Sequence, residues 1–305
     1  MNPSNQKSLH REFHVFHPSD FSMASEIAFA HALKIALRAH AQLDIMHVEP
    51  HPGIETSCWI DFPAVRTTLT RWGILPEGVG REAVARAGLH IRKVLACSKD
   101  PVGRMLRHFR TFPPDLIVLA THQRDGVDRW LHKAVAEPVA RRSGAMTLFV
   151  PRRGGGFVSR SDGTASLKKI LIPVDSRPHP QVAVEKALSL ARGLECYTGE
   201  FRLLHVGNRS TTPMLDLPLG YGWSYESRDT DGDVVNEILK AEEDWQPDLM
   251  VLATAGHLDF VDALRGSTTE RVLRLAHCPV LAVPERSAAK MISETKAQAP
   301  AEGII

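Results

Sequence analysis

Short apolar runs alternate with amphipathic segments along most of the chain. The first half contains five such runs, which predict strands near residues 13–16, 43–48, 89–95, 116–119 and 146–150. The helical pattern is clearest over residues 22–40, where apolar side chains recur at three- and four-residue steps at Ile27, Ala30, Leu33 and Leu37. Further helices are predicted over residues 102–109 and from Ala134, with a helical insert within 58–88. Strands that alternate with helices are typical of a parallel sheet.

The pattern begins again in the second half. Residues 169–174 predict a strand that leads into Asp175, as the first strand leads into Asp20, and a helix is predicted over 182–194. LeuHisVal at 204–206 repeats MetHisVal at 46–48, and a strand is predicted near 223–226. Residues 114–151 align without a gap on 247–284, where strands at 249–253 and 280–283 flank a helix. The chain therefore contains two copies of one domain.

A segment rich in glycine, serine and arginine separates the copies. Residues 152–166 contain three consecutive glycines and, by composition, too little apolar surface to pack, which indicates a linker. The predicted organisation is a domain over 1–152, a linker over 153–167, a second domain over 168–285 and a disordered tail over 286–305.

Composition narrows the class of protein. The 305 residues are 43% hydrophobic and 24% charged, which suits two ordinary globular domains. The four cysteines show neither CxxC spacing nor a disulfide ladder, and no signal peptide or membrane helix is evident, so we expect a soluble cytoplasmic protein. Residues 1–152 carry 20 Lys and Arg against 14 Asp and Glu, but the charges are scattered and nucleic-acid binding is not expected.

The stretch over 247–284 carries the candidate chemistry. Gly256 and Gly266 bracket a loop, and Ser267 stands where it would cap the helix that contains Thr268. Backbone N–H groups at a helix start attract anions, and a preceding glycine allows close approach, so a phosphate site is one interpretation. An ordinary capped helix is the other. No Lys follows Gly266, which excludes a Walker A loop.

The order of strand, ProValAsp, helix, LeuHisVal, ProAspLeu, glycine loop and CysProValLeuAlaVal resembles the universal stress protein family in its tandem form. The resemblance implies an α/β fold with two tandem flavodoxin-like domains, each a five-stranded parallel sheet of order 3-2-1-4-5. It also implies that the last strands, at 147–150 and 280–283, pair within the chain as an intramolecular pseudo-dimer. Two chains would then be able to form a homodimer.

The resemblance extends to the ATP motif of the family, which is Gly, two residues, Gly, nine residues, Gly, then Ser or Thr. It implies a site for ATP, AMP or ADP, with Mg²⁺, in the second domain. Alanine replaces the first glycine of the motif. The implied binding residues are Pro173, Val174, Asp175, Val206, Ala253, Gly256, Arg265, Gly266, Ser267 and Thr268.

The first domain departs from this motif. Ala120, Gln123, Lys133 and Ala134 replace its four positions, so we predict that this domain does not bind ATP. Pro18, Ser19, Asp20 and Val48 still resemble the adenosine side of the family's pocket, which leaves open either another ligand or none in this domain. For Asp20 and Asp175, the alternative is a helix-capping aspartate.

Three functions are consistent with these residues. The first is a stress-response regulator that binds an adenine nucleotide. The second is a nucleotide-free interaction protein of the same fold, and the third is a slow ATPase assisted by His257 and Asp259. His10, His14 and His17 do not assemble into a zinc site by spacing, and we expect His47 and His205 to be bonded to backbone.

Overall fold

The computed structural model describes residues 12–50, 62–121, 133–152, 154, 156–218, 222–255 and 268–285. The elements of the first half are β1 His14–Pro18, α1 Met23–Arg38, β2 Gln42–Glu49, α2 Val65–Arg71, α3 Arg81–Arg86, β3 His90–Cys97, α4 Pro101–Thr111, β4 Leu116–Thr121, α5 Lys133–Ser143 and β5 Met146–Pro151. Those of the second half are β6 Lys169–Val174, α6 Gln181–Gly193, β7 Gly199–Val206, β8 Trp223–Thr230, α7 Val234–Trp245, β9 Leu249–Thr254, α8 Thr268–Leu275 and β10 Val280–Pro284.

All ten strands form one sheet, in the order β3-β2-β1-β4-β5-β10-β9-β6-β7-β8. Each half is parallel and has the order 3-2-1-4-5, which confirms the predicted α/β fold. The halves join where β5 and β10 pair antiparallel, with Leu281 opposite Leu148. The predicted pairing of the two last strands is thereby confirmed, and the two domains form an intramolecular pseudo-dimer.

Helices cover both faces of the sheet because both faces of its central strands are apolar. On one face, α1 and α6 pack over a single core that runs across the join between β5 and β10. On the other face, α4 and α5 cover the first half and α7 and α8 cover the second, over two separate cores. None of the described helices is long and apolar enough to cross a membrane.

The predicted helical insert folds against the first domain. Within the described residues 62–88 it contains α2 and α3, and its apolar side chains join the core under α1. The buried ones include Phe62, Val65, Leu69 and Trp72. The insert therefore enlarges the core of the first domain.

The prediction that residues 152–166 cannot pack is wrong at two positions. Phe157 and Val158 are buried, at 4% and 2% exposed, against α1. Their backbone N–H groups donate to Nε2 of His31 over 3.0 and 3.2 Å, and the indole N–H of Trp72 donates to the Arg160 carbonyl over 3.2 Å. Composition missed this packing because two apolar residues and one buried acceptor are enough to hold a short segment. The domain boundaries themselves stay predictions.

The attachment of this segment to His31 should depend on pH. Burial lowers the pKa of His31 from 6.5 to about 4, and the hydrogen bond from its Nδ1–H to the Ile27 carbonyl opposes this shift only in part. Its Nε2 accepts the two amide hydrogen bonds, so this nitrogen is unprotonated in the folded state. As the pH falls, His31 is protonated in the unfolded chain before it is protonated in the folded one. The contribution of neutral His31 to the stability of the fold is therefore complete above pH 6.5 and is lost as the pH falls toward 4. We expect the hydrogen-exchange protection factors of the Phe157 and Val158 amides to fall over this range.

The matched control is His31→Gln, whose amide oxygen accepts hydrogen bonds but does not titrate. Protection of the two amides in this variant should not change between pH 6.5 and 4. Equal pH dependence in both proteins would contradict the assignment to His31.

Candidate functional site

The carboxyl edge of the second half has the layout of a ligand site. Strand β6 pairs with β7 on one side and with β9 on the other. The chain leaves β6 through α6 toward β7, whereas it reaches β9 from β8 through α7. Connections that diverge in this way leave a crevice beyond the strand ends, where open α/β sheets bind ligands.

The structure brings the described part of the predicted site together at this edge. Because Val174 pairs with His205, Asp175 lies level with Val206 at the end of β7. Leu171 pairs with Met250, so Val174 and Ala253, three residues further along each strand, also lie level. Pro173 is the penultimate residue of β6 and Thr268 begins α8. Gly256, Arg265, Gly266 and Ser267 lie outside the described residues.

Asp175 presents an exposed carboxylate beyond the end of β6. Its Oδ1 accepts the backbone N–H of Ser176 at 2.6 Å, and the helix that follows begins only at Gln181, with Pro180 as its cap. Asp20 similarly accepts the N–H of Ser22. Neither aspartate caps its helix, so the capping alternative is wrong for both.

Residue 253, where this chain has alanine in place of the first motif glycine, has an ordinary backbone conformation. It lies within β9, and positive φ outside glycine occurs, in the described part of the chain, at Phe21, His40, Glu195 and Gln246. The backbone at residue 253 therefore has no conformation that only glycine adopts easily. The extra methyl group acts on the space of the site and not on its backbone.

Two matched histidines fix the turns that precede these aspartates. Nδ1 of His205 lies 3.1 Å from the Val174 carbonyl, and Nδ1 of His47 lies 2.7 Å from the Ser19 carbonyl. A carbonyl only accepts, so each Nδ1 carries a proton and donates it. This confirms that both imidazoles are bonded to backbone. Their role in holding the turn was missed, although the repeat of HisVal on two strands was its signal.

A proline-rich loop is tied to the same edge. Nε2 of His205 lies 3.0 Å from Thr211 Oγ1, and the Gln181 side chain makes two 3.0 Å hydrogen bonds with the backbone of Asp216. The loop thereby joins the turn before Asp175 to the start of α6. The sequence identified this segment only as a loop, without its ties to His205 and Gln181.

The first domain fills the corresponding space with its own side chain. Phe21 follows Asp20, and its ring stacks on His47 with centroids 4.1 Å apart, while Phe62 meets it edge-on at 5.4 Å. Phe21 has φ of 61°, a conformation that non-glycine residues seldom adopt. In the second domain the residue after Asp175 is Ser176, whose side chain has no ring.

A buried polar cluster lies beneath that turn in the first domain. His17 Nδ1 lies 3.0 Å from the Val118 carbonyl, and its Nε2 lies 3.3 Å from Ser25 Oγ, which is 3.1 Å from Ser19 Oγ. Burial lowers the pKa of His17 to about 4, so the ring is neutral. Both serines are at most 5% exposed. The cluster therefore supports the turn and does not present a nucleophile to a substrate.

No three His, Cys, Asp or Glu side chains within the described ranges are arranged to hold a metal ion. His10 lies outside those ranges. His14 and His108 instead converge on one oxygen of the buried Asp44, at 3.2 and 2.7 Å, and Arg92 reaches the same oxygen at 3.2 Å. These contacts form a buried ion-pair network near the amino ends of the first-half strands, away from the turn that holds Asp20.

Comparisons with known proteins agree with this architecture. The sequence model described as "Universal stress protein family" matches residues 14–151 and 220–284. A universal stress protein of Methanocaldococcus jannaschii is 25% identical over 149 residues, which cover 40% of this chain and 85% of that protein.

Two solved structures show the same fold over nearly the whole chain. A universal stress protein from Archaeoglobus fulgidus is 16% identical, with a TM-score of 0.57 and coverage of 90% of this chain and 99% of that one. A Pseudomonas aeruginosa protein described as belonging to the same group is 12% identical, with a TM-score of 0.57 and coverage of 94% and 99%. Since the family model matches more than half of the chain, this protein belongs to the universal stress protein family and carries two of its domains in tandem.

Proposed function

We propose that this protein is a cytoplasmic stress-response regulator that binds ATP, or a related adenine nucleotide, in its C-terminal domain. The observation that carries the proposal is the exposed carboxylate of Asp175 at the crevice beyond β6, on a turn fixed by His205. We propose binding and not rapid turnover at this site.

The adenosine part of the nucleotide suits the described residues. Pro173, Val174 and Val206 give an apolar wall for a base, and the carboxylate of Asp175 accepts hydrogen bonds from ribose hydroxyls. Ala253 lies across from this wall, at the level of Val174. The elements that frame the crevice are regular strands, so the wall is held in place without a ligand.

The phosphates, with Mg²⁺, would lie at the start of α8. Thr268 is the first residue of this helix, and N–H groups at a helix start are ready donors to phosphate oxygens. Gly256, Arg265, Gly266 and Ser267 precede it in sequence, and we propose that they complete this side of the site. Arg265 would supply a charge-assisted hydrogen bond.

The first domain favours the second candidate function, that of a nucleotide-free interaction module. The specific observation is the Phe21 ring on His47, which occupies the space beside Asp20. We therefore propose one nucleotide per chain, with the first domain acting through its surface.

Calorimetric titration with MgATP tests the proposal. We expect one site per chain, about tenfold weaker binding for Asp175→Ala, which loses one hydrogen-bonded contact worth about 1.4 kcal/mol, and no measurable binding for Gly266→Glu, which places a carboxylate against the phosphates. The matched control is Asp20→Ala in the first domain, which should bind like the wild type.

Two results would contradict the proposal. One is wild-type protein that neither binds MgATP nor carries a nucleotide by mass spectrometry after gentle purification. The other is binding that Gly266→Glu leaves unchanged. Binding of two nucleotides per chain would contradict only the proposal that the first domain is nucleotide-free.

A further inference from the structure

A cleft of about 250 Å³ lies between α1 and α6, over the join between the two domains. Leu148 and Leu281, which face each other across β5 and β10, form its floor. Phe13 lines it from the segment before β1, and the C-terminal turns of both helices form its walls. We call this space the seam cleft. It lies away from the carboxyl edge that holds Asp175, so it is a separate place on the molecule.

The size of the seam cleft suits a small ligand. An apolar protein cavity of about 150 Å³ already holds a benzene molecule, and a water molecule takes up about 30 Å³ of liquid. A volume of about 250 Å³ therefore has room for roughly eight to ten non-hydrogen atoms. Sites of this kind, apolar with a few polar groups, occur preferentially between domains.

The polar groups of the cleft are mainly cationic. Arg38 of α1 and Lys186 of α6 both line it, together with the hydroxyl of Ser189, and no Asp or Glu is found among the described residues that do so. A cationic rim above a leucine floor is complementary to a molecule that has an apolar body and one anionic end. The composition of the lining thus selects a carboxylate over an amine.

Both cations also interact with carboxylates outside the lining. Arg38 pairs with Glu195, and Asp115 and Glu185 act on Lys186 through their charge. A guanidinium has five N–H donors and an ammonium has three, so each group can take a further acceptor. Burial lowers the pKa of Lys186, and a ligand carboxylate at this point would offset the cost of that burial.

Helix C-termini normally favour cations, which would argue for the opposite ligand charge. Here the local turns engage the carbonyls at both helix ends. The Ile35 and Ala36 carbonyls accept the N–H groups of Ala39 and Ala41, and the Leu190 and Ala191 carbonyls likewise accept from the turn after α6. With these acceptors occupied, the charged side chains dominate the electrostatics of the cleft.

We propose that the seam cleft binds a small amphipathic carboxylate. Its chain of about eight carbons, or one aromatic ring, would lie on Leu148 and Leu281, and its carboxylate would accept hydrogen bonds from Lys186 and Arg38. Since β5 and β10 come from different domains, a ligand at this place contacts both of them.

Three probes with the same chain and different ends test the proposal: octanoate, octan-1-ol and octylamine. We expect calorimetry and saturation-transfer NMR on the full chain to show octanoate binding about tenfold more tightly than octan-1-ol, and octylamine binding more weakly than both. Lys186→Met should reduce octanoate binding to the level of octan-1-ol. Lys240→Met, an exposed lysine on α7 on the other face of the sheet, is the matched control and should bind octanoate like the wild type.

A second variant acts on the shape of the cleft. A Cβ at Gly193, which lines the cleft at the end of α6, meets no heavy atom within 4 Å, so Gly193→Leu fits the fold and narrows the space. It should weaken octanoate and octan-1-ol equally.

Octanoate that binds no better than octan-1-ol, or that Lys186→Met and Lys240→Met affect equally, would overturn the proposal. MgATP should not compete with octanoate, and Asp175→Ala should bind octanoate like the wild type. Failure of the cleft and failure of the nucleotide site are therefore distinguishable.

Discussion

Replacing Asp44 with alanine is expected to lower the free energy of unfolding by about 3–5 kcal/mol, as is usual when one partner of a buried ion pair is removed. Asp44 has no exposed surface, and its Oδ2 lies 2.7 Å from His108 Nε2 and 3.2 Å from Arg92. Its Oδ1 accepts from the Gln42 amide at 2.9 Å. Without the carboxylate, the buried His108 imidazole would lose its acceptor, and Arg92 and Gln42 would each lose a hydrogen bond.

The same network makes the stability difference between the wild type and Asp44→Ala depend on pH. Burial alone would raise the pKa of Asp44, but hydrogen bonds from His108, His14 and Gln42, with the charge of His14, hold it well below its usual range. A carboxyl with a lowered pKa stabilises the fold above the unfolded value of 3.8, and this contribution is lost as the pH falls below it. The advantage of the wild type over Asp44→Ala should therefore be constant at neutral pH and shrink in acid.

Urea unfolding of Asp44→Ala, His108→Ala and the double variant measures the effect. If the carboxylate acts through His108, the two changes should be coupled by more than about 1 kcal/mol in the double-mutant cycle. Additive changes, or an Asp44→Ala variant within about 0.5 kcal/mol of the wild type, would show that the network does not stabilise the domain.

The second domain has the inverse charge arrangement at this place. Arg202 stands three residues before His205, as Asp44 stands three before His47, and pairs with Glu226 on β8 at 2.8 Å where Asp44 pairs with Arg92 on β3. Arg202 also lies over the Trp245 ring at 4.1 Å, while Arg92 lies over Phe112 at 3.7 Å. The two domains therefore conserve the interaction geometry with the signs of the charges exchanged.

Much of the fold was predictable because it depends on local patterns. Apolar runs located the strands, and the repeat between 114–151 and 247–284 predicted two copies of one domain. The resemblance to the universal stress protein family implied the five-strand order in both halves and the β5–β10 pair, and the structure has both. Helix α7 was not predicted, although Asp233 caps it and Val235, Ile238 and Trp245 are buried at helical spacing. The packing of Phe157 was missed because it depends on His31, 126 residues away in sequence.

Part of the candidate site was also predictable from the sequence. The sequence placed Pro173, Val174 and Asp175 at the end of a strand, and the sheet order brings them level with Val206 and Ala253. The seam cleft was not foreseen, because its walls come from helices of different domains and no motif marks it. The role of Asp44 was missed because its partners are far from it in sequence, with Arg92 on β3 and His108 on α4.

Replacing Glu242 with alanine is expected to lower the free energy of unfolding of the second domain by about 3–5 kcal/mol, because two hydrogen bonds to one charged group, each worth about 1.5–3 kcal/mol, are lost together. Glu242 lies on α7 and is 4% exposed. Its Oε1 accepts the backbone N–H groups of His277 and Cys278, each at 2.6 Å. These residues lead into β10, so the carboxylate holds the strand that joins the two domains.

The neighbouring Glu243 is the matched control, since it is exposed on the same helix and its replacement by alanine should change stability by less than about 0.5 kcal/mol. Urea midpoints at unchanged slope give both values.

Burial and the Glu242 carboxylate also raise the pKa of the Cys278 thiol, so this cysteine should resist thiol reagents in the wild type. In Glu242→Ala, mass-mapped alkylation of Cys278 should become faster relative to the exposed Cys97. If Glu242→Ala matches Glu243→Ala in both measurements, the carboxylate does not hold the turn into β10.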